Sequence, residues 1–597
     1  MSDFVNLHVH SFYSILDGLA KPADIAARAA ALGQKAIALT DHGVMYGVVE
    51  FARACKEKEI KPIIGIEAYI TEYGRSMGGK DKMKDRQNYH LLLLAENQVG
   101  YHNLMRLSSL SHNEGFYSKP RIDHETLAKY SEGIIATSGC MAAEIPSLLN
   151  DERHTPDEIE AEKRLNWYLD VFGRDRFFIE FQEHKIEPLQ RLNYKLMEIA
   201  LRNKARMITT NDSHYANITD TLAHDMIMCI GMQTTLDDPK RMSLIKDEFY
   251  IRSLDEMKSI LGYLNLPDSA FYNTVEIADR CNVDVEYKGY AFPDISIPQG
   301  YTYDTYLEEL TWNGARNRYG DRLDYDTALT DRIKHELNII KSMTFSVYYL
   351  IVGDICAYAQ NNGIWWNVRG SGAGSVVAYC TGITRVDPLK YGLIFERFLN
   401  PSRAGMPDFD LDFPDDSRES LIAYTLHKYG ERSVAQIVSF NTIKSRGALK
   451  DVGRLLNQDP TYMNELTEMV PMGSITLESA LEESPDLKKR YDNDPNIHNI
   501  VDLGMKIEGV KRAMSIHPAA VIITPNDVMD YVPLVKPPAS AVTPYVTQYE
   551  YPICESLGLL KIDFLGLRTL TIMRIACDLI QKRYGVQYNL DTIPIQG

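Results

Sequence analysis

Up to about residue 230 the chain alternates short apolar runs with segments whose apolar residues recur at helical spacing. The runs Val5–His10, Ala36–His42, Pro62–Ile70, Tyr89–Ala95, Gly133–Cys140, Phe177–His184 and Met207–His214 have the length and side-chain content of buried strands. Between them, Lys21–Leu32, Val48–Ile60 and Glu187–Asn203 carry the period of amphipathic helices. Seven strand signals alternating with helices predict parallel strands, most simply a TIM-like barrel, with a doubly wound open sheet as the alternative. From about 231 to 300 the pattern loosens into a connection with one helix, Asp268–Cys281, and a Pro-spaced stretch, Phe292–Gln299. A second folded unit is predicted from Tyr303, with a helix over Asp331–Met343, a mostly apolar run Tyr348–Ala359, and the turn Arg369-Gly-Ser-Gly-Ala-Gly-Ser375. Residues 441–512 are polar and helix-rich; strand character returns at Ala519–Thr524 and Leu559–Phe564, and a helix at Thr569–Arg583.

A length of 597 residues suggests about four domains at roughly 150 residues each. With 45% hydrophobic and 24% charged residues, most of the chain has enough apolar material to fold. No apolar stretch reaches the ~20 residues that span a bilayer, and Met1–His10 lacks the basic start and apolar core of a signal peptide, so a cytoplasmic protein is expected. The net charge of −17 argues against a broadly basic surface for nucleic acid but leaves room for a local basic groove. Eight scattered cysteines without a CxxC pair read as reduced thiols. Eleven of the 15 histidines lie at or before His224, which directs the search for metal to the first part of the chain.

His8 and His10 would share one face of a strand. Asp17 follows in the next loop, and Asp41-His42 ends the second predicted strand. Glu67 lies in the third, Cys140 ends the fifth and Asp212-x-His214 ends the last. In a barrel the C-terminal strand ends face one mouth, so these residues would converge there. His90 opens its run instead of closing it, which the barrel rule does not explain. Imidazole, thiolate and carboxylate together suit zinc, manganese or iron, and such clusters can serve phosphoryl chemistry. His102, His112, His124 and His154 fit no ligand spacing and read as packing or surface residues.

The second constellation is Met406-Pro-Asp-Phe-Asp-Leu-Asp-Phe413. Period two places Asp408, Asp410 and Asp412 on one face and Phe409, Leu411 and Phe413 behind. Either these are solvated carboxylates of an edge strand or a cation offsets their repulsion. Asp563, alone in the apolar run Leu559–Phe564, would be costly to bury unpaired; sharing metal with the first strand would resolve both difficulties. Two oxygen-ligated Mg²⁺ ions held by such aspartates suit phosphoryl transfer. The turn Gly370–Ser375 can offer backbone N–H groups to phosphate at a helix start. It is neither a P-loop nor a dinucleotide fingerprint, and a plain flexible turn fits it too.

Residues 5–220 resemble a PHP (polymerase and histidinol phosphatase) domain, a metal-dependent phosphoesterase fold. Its ligand pattern matches His8, His10, Asp17, His42, Glu67, His90, Cys140, Asp212 and His214. The likeness implies a distorted seven-stranded barrel holding up to three Zn²⁺, Mn²⁺ or Fe²⁺ ions, and a 3′–5′ exonuclease. The turn, the DxD strand and the later Asp strand resemble a nucleotidyltransferase palm of the polymerase beta type. Longer segments resemble, in order, the bacterial replicative C-family DNA polymerases: Phe345–Val352, the Arg369 turn, Phe395–Pro401, Met406–Phe413, Asp451–Arg454 and Lys561–Leu567. That resemblance implies a multidomain α/β and α+β chain. It divides as 1–285 PHP with connection, 286–440 and 513–568 palm, 441–512 an inserted helical thumb, and 569–597 the start of the fingers.

By the same resemblance Asp408, Asp410 and Asp563 are catalytic, and Gly370, Ser371, Arg397 and Lys561 meet the incoming dNTP. His517, on a short loop before a strand, reads either as a phosphate contact or as a packing residue. Lys444, Arg446, Lys450 and Arg454 follow a helical spacing that suits thumb contacts to primer–template DNA, though a solvated helix face explains them equally. Relatives continue through fingers, a clamp-binding segment and an oligonucleotide-binding module. This implies that sliding clamp and replisome contacts lie outside the chain, and that the 597 residues alone polymerise weakly or not at all. Two rival readings remain at this level: a PHP phosphatase acting on small phosphate esters, and a metal-braced scaffold docking a separate exonuclease.

Overall fold

A computed structural model describes residues 4–72, 88–152, 155–241, 248–286, 289–402 and 405–588. The last nine residues of the expected fingers segment, 589–597, lie outside the described residues. The chain divides into two compact units: 1–286 with 439–515 and 533–536, and 287–438 with 516–532 and 537–597. No single helix among the described residues is long and apolar enough to cross a membrane. All eight cysteines are free.

The first unit is built on seven strands: β1 (Ala36–Leu39), β2 (Lys61–Thr71), β3 (Tyr89–Ala95), β4 (Arg121–Asp123), β5 (Ile134–Thr137), β6 (Phe177–Phe181) and β7 (Arg206–Thr209). Their order is β1-β2-β3-β5-β6-β7, with β4 on β2. The strands are apolar on both faces because helices cover the outside and Leu7, Ala38, Ile63, Leu92, Ile135, Phe178 and Ile208 fill the inside. The expected strand Val5–His10 is not regular. It is an extended segment whose Asn6 and Val9 carbonyls accept from Ala38 and Thr40, while His8 O and His10 N bond Ser213, so it joins the two outer strands. The expectation of parallel strands also needs correction. β3 runs antiparallel to both β2 and β5, with Tyr69 opposite His90 and Leu92 opposite Thr137. Its N-terminal end therefore lies beside the C-terminal ends of its neighbours, which brings His90 to the rim that the other ligands share. The helices Pro22–Ala31, Val48–Glu57, Glu187–Asn203 and Ser269–Arg280 fall where the periodicity placed them.

The helix-rich segment 439–515 packs within this first unit. Phe440 meets Tyr13 and Tyr46 with ring centroids 5.5 and 4.8 Å apart. Lys511 Nζ lies over the rings of Phe12, Tyr13 and Phe440. Lys506 Nζ bonds Thr219 O and Asp220 Oδ1 at 2.7 and 2.8 Å.

The second unit holds β8 (Asn367–Arg369), β9 (Asp410–Phe413) and β14 (Leu560–Gly566), together with parts of β10 (Val434–Thr442) and β11 (Lys511–Ile523), both of which also run into the first unit. With β12 (Leu534–Val535) counted in chain order, β13 is Val546–Glu550. Six strands follow the order β13-β10-β11-β14-β9-β8. The run Tyr348–Ala359 is a helix, Ser346–Asn361, whose Tyr348, Tyr349, Ile351 and Ile355 enter the core beside Phe409, Leu411, Phe413 and Phe564. The Met406–Phe413 strand is regular only from Asp410. His517 lies within the long strand β11, not on a loop before it.

Candidate active sites

All nine expected ligands of the first unit gather at one rim. Ligand atoms of His10, His42 and His214, of His8, His10 and Asp212, and of His42, Glu67 and His90 form three trios, each within 4.8 Å. Asp17 Oδ2 stands 3.0 Å from His42 Nε2, and Cys140 Sγ 3.4 Å from His90 Nδ1. The register explains the convergence: His42 bridges Glu67, Val9 bridges Ser213, and His90 bridges Ala143.

The residues fit a metal centre on their own geometry. His8 Nε2, His42 Nδ1 and Glu67 Oε2 are buried without a hydrogen-bond partner. Yet His42 Nδ1 and Glu67 Oε2 lie only 2.5 Å apart. Buried ligand atoms left without a hydrogen-bond partner are what a bound cation would satisfy. Burial would hold His42 down, but Glu67 and Asp17 overcome it and push the imidazole up to about 10. Burial likewise opposes charge on His8, and the carboxylates of Asp212, Glu180 and Glu67 push it up regardless. Burial, with His42 and His214 nearby, drives His10 down to about 3. Burial works against ionising Glu67 and Asp212 too, yet His90, His42 and His8 hold Glu67 low, and His8 and His214 hold Asp212 low. Imidazoles and carboxylates coupled this closely make a donor set suited to divalent cations.

Several residues that brace this rim were not singled out by sequence. Glu180, buried inside β6, accepts from Thr137 Oγ1, Thr210 Oγ1 and Gln182 Nε2, and lies 2.8 Å from His8 Nδ1. Asp41 accepts from Ser11 N and from Ser11 Oγ and Ser14 Oγ, at 2.7–2.8 Å. Ser14 Oγ in turn stands 3.2 Å from His10 Nδ1. Outer partners of this kind fix the ring orientation of a ligating histidine. The signal for Glu180 was present: a lone carboxylate in an apolar strand, the same feature that drew attention to Asp563.

In the second unit Asp408, Asp410 and Asp563 bring carboxylate oxygens within 4.8 Å of one another. The register places Phe564 beside Leu411 on parallel strands, and Ala520 opposite Asp563. Lys561 Nζ sits among them, 2.7 Å from Asp408 Oδ2, 2.8 Å from Asp563 Oδ2 and 2.5 Å from Tyr551 OH. Burial opposes its charge, but Asp408 and Asp563 push its pKa up. Burial raises Asp408, with Lys561 pulling the other way. Asp563 Oδ1 is buried and unpartnered. An ammonium therefore stands where the sequence places cations, and one carboxylate oxygen is left over. Asp412 turns to Arg369 Nε, 2.6 Å away, and stays outside the cluster. Tyr348 OH accepts from Phe409 N between the first two aspartates.

Gly370 and Ser371 are exposed, and a Cβ built on Gly370 would lie 3.5 Å from Asp410 Oδ2. The start of the helix that follows the turn is not open to phosphate. Buried Glu336 accepts from Val376 N, Val377 N and Ser375 Oγ, so those donors are taken. Arg397, itself exposed, ends the short turn Phe395–Arg397, whose Phe395 is buried, and makes no ion pair among the described residues. Arg446, Lys450 and Arg454 share one face of the helix Ser445–Leu455 at i, i+4 and i+8, with Lys444 at its N-cap. Arg446 donates to Val470 O and Arg454 to Thr234 O. Lys444 and Lys450 are exposed.

The comparisons follow the same division. The family profile described as "PHP domain" matches residues 6–184, and "Bacterial DNA polymerase III alpha NTPase domain" matches 305–566. Proteins named DNA polymerase III subunit alpha from Borreliella burgdorferi, Thermus aquaticus and Treponema pallidum are 41%, 38% and 38% identical to it, over 99%, 99% and 98% of this chain. The chain belongs to the bacterial DNA polymerase III alpha family. It spans about half the length of those curated relatives, covering 51%, 53% and 49% of them. The family's PHP match contains seven of the nine rim ligands, His8 to Cys140, and Asp212 and His214 follow it in the chain. Its polymerase match contains Gly370, Ser371, Arg397, Lys561 and all three clustered aspartates.

Proposed function

We propose that the second unit carries the polymerising centre of a DNA-directed DNA polymerase of bacterial replication, and that the rim of the first unit is a 3′–5′ exonuclease. The convergence of Asp408, Asp410 and Asp563 around Lys561 carries the first part. Bound Mg²⁺, as a pair, would lower the pKa of the primer 3′-hydroxyl and offset charge on the departing pyrophosphate. Asp408, just before β9, Asp410, at its start, and Asp563, on the neighbouring β14, would hold such ions. Lys561 gives up its two carboxylates and turns its charge to the triphosphate, joined by Gly370, Ser371 and Arg397. The helical segment 441–512 acts as thumb, with Lys444 and Lys450 free to meet duplex phosphates without reading sequence.

At the rim, Zn²⁺, Mn²⁺ or Fe²⁺, up to three ions, would supply an activated water for the terminal phosphodiester. The three overlapping trios support this reading over a single bracing ion. Two variants of the full-length gene product test both parts. Asp408→Asn should abolish primer extension and spare mismatch excision, and His8→Ala should do the reverse. Excision surviving the joint loss of His8, Asp212 and His214 defeats the nuclease assignment; extension surviving Asp408→Asn defeats the other.

A further inference from the structure

Three buried histidines of the first unit lie outside the ligand set, and each points one ring nitrogen at a backbone carbonyl. His112, on the helix Gln98–Asn113, has Nε2 3.0 Å from Gly43 O. His184, just past β6, has Nε2 3.1 Å from Asn211 O. His224, on the helix Thr221–Met232, has Nε2 2.8 Å from Asp17 O. A carbonyl can only accept, so each Nε2 must carry a proton.

The carbonyls they hold are not a random set. Asp17 is itself an expected ligand, Gly43 follows His42, and Asn211 precedes Asp212. Each also lies at or beside a residue in the left-handed region: Leu16 at φ 59°, Gly43 at 64° and Asp212 at 48°. Leu adopts that conformation only where surrounding contacts impose it, whereas Asp does so more readily and Gly freely. Other bonds act at the same points: Gly43 N donates to Glu67 O, and Asn211 Nδ2 to Glu248 O and Tyr250 O. From this geometry we infer that His112, His184 and His224 are positioning residues. They fix, through one donated hydrogen bond each, the three turns that aim His42, Asp212 and Asp17 into the metal centre. The inference rests on reading that rim as a metal centre.

The test uses the 597-residue chain with Mn²⁺ binding followed by electron paramagnetic resonance and Co²⁺ binding by its visible absorption. Each histidine is changed to Phe, to Gln and to Asn. Phe keeps a flat ring without a donor, Gln carries an amide N–H at the reach of Nε2, and the Asn amide falls short. The Phe and Asn variants should bind Mn²⁺ on the order of 10- to 100-fold more weakly and alter the Co²⁺ spectrum, while Gln restores both. Parental affinity and spectrum in a folded Phe variant overturn the inference. Where a Phe variant loses its fold, the Gln–Asn pair decides, and equal binding by those two overturns it. A parent chain that binds no Mn²⁺ overturns both this inference and the metal-centre reading beneath it, which distinguishes that failure from the others.

Discussion

His112 offers a quantitative check on the electrostatics of the first unit. Its Nε2 is bonded to Gly43 O, its Nδ1 is buried without a partner, and burial holds it at about 4 against an ordinary 6.5. Between those values the unfolded chain takes up a proton that the folded chain refuses. Stability from this group is therefore complete above pH 6.5 and is lost as pH falls toward 4. At pH 5.0 the two proton affinities differ by a loss of about 2 kcal/mol, with no solvent discount because the ring is buried. The assay compares the parent with His112→Gln, which keeps a donor to Gly43 O and cannot titrate. Urea unfolding at pH 7.5 and 5.0, read by hydrogen–deuterium exchange of β1–β3 peptides, should show the parent losing about 2 kcal/mol more than the variant. Equal losses in both proteins would show that His112 charges freely in the folded state and would refute the reasoning.

Glu336→Gln removes the charge that Arg332 Nε meets at 2.7 Å and weakens the cap on Val376 and Val377; a loss of about 2–4 kcal/mol is expected in denaturant unfolding of the second unit. Gly372→Ala would put a Cβ 2.7 Å from Phe409 Cδ1. It should cost about 1–3 kcal/mol and, by shifting the segment between Asp408 and Asp410, depress nucleotide incorporation more than DNA binding. Metal binding at the rim should release protons, because His42 is held up to about 10 and must be neutral to ligate. Mn²⁺ affinity should therefore weaken as pH is lowered from 8 to 6 (roughly tenfold per unit for each proton displaced), and calorimetric heats should scale with buffer ionisation enthalpy. Heats independent of the buffer would contradict the protonated state.

How much was legible in the chain varied with the range of the interaction that decided each feature. The ligands His8, His10 and Asp212-x-His214 were readable because period two is local. The helix Glu187–Asn203 was readable because its apolar stripe is repeated over four turns. The direction of β3 was not, since Tyr-His-Leu-Leu-Leu-Leu-Ala has no polarity a parallel or antiparallel neighbour would reject. For that reason His90 looked misplaced until the register was known. Tyr348–Ala359 read as an apolar run without a resolved period because the helix is buried on most sides. Glu336 escaped notice because its partners lie about 40 residues away, at Val376 and Val377. His112 was set aside on ligand spacing, which says nothing about a ring that reaches a carbonyl 69 residues away.

The overlap of the rim trios has an arithmetical consequence. His10 belongs to two of the three, and so does His42, whereas His8, His90 and His214 each belong to one. Occupancy of the pockets is then not independent. One imidazole nitrogen serves one ion at a time, so trios that share His10 or His42 compete for it, and successive ions should bind with falling affinity; a stepwise titration would map the wiring without any image of the ions themselves.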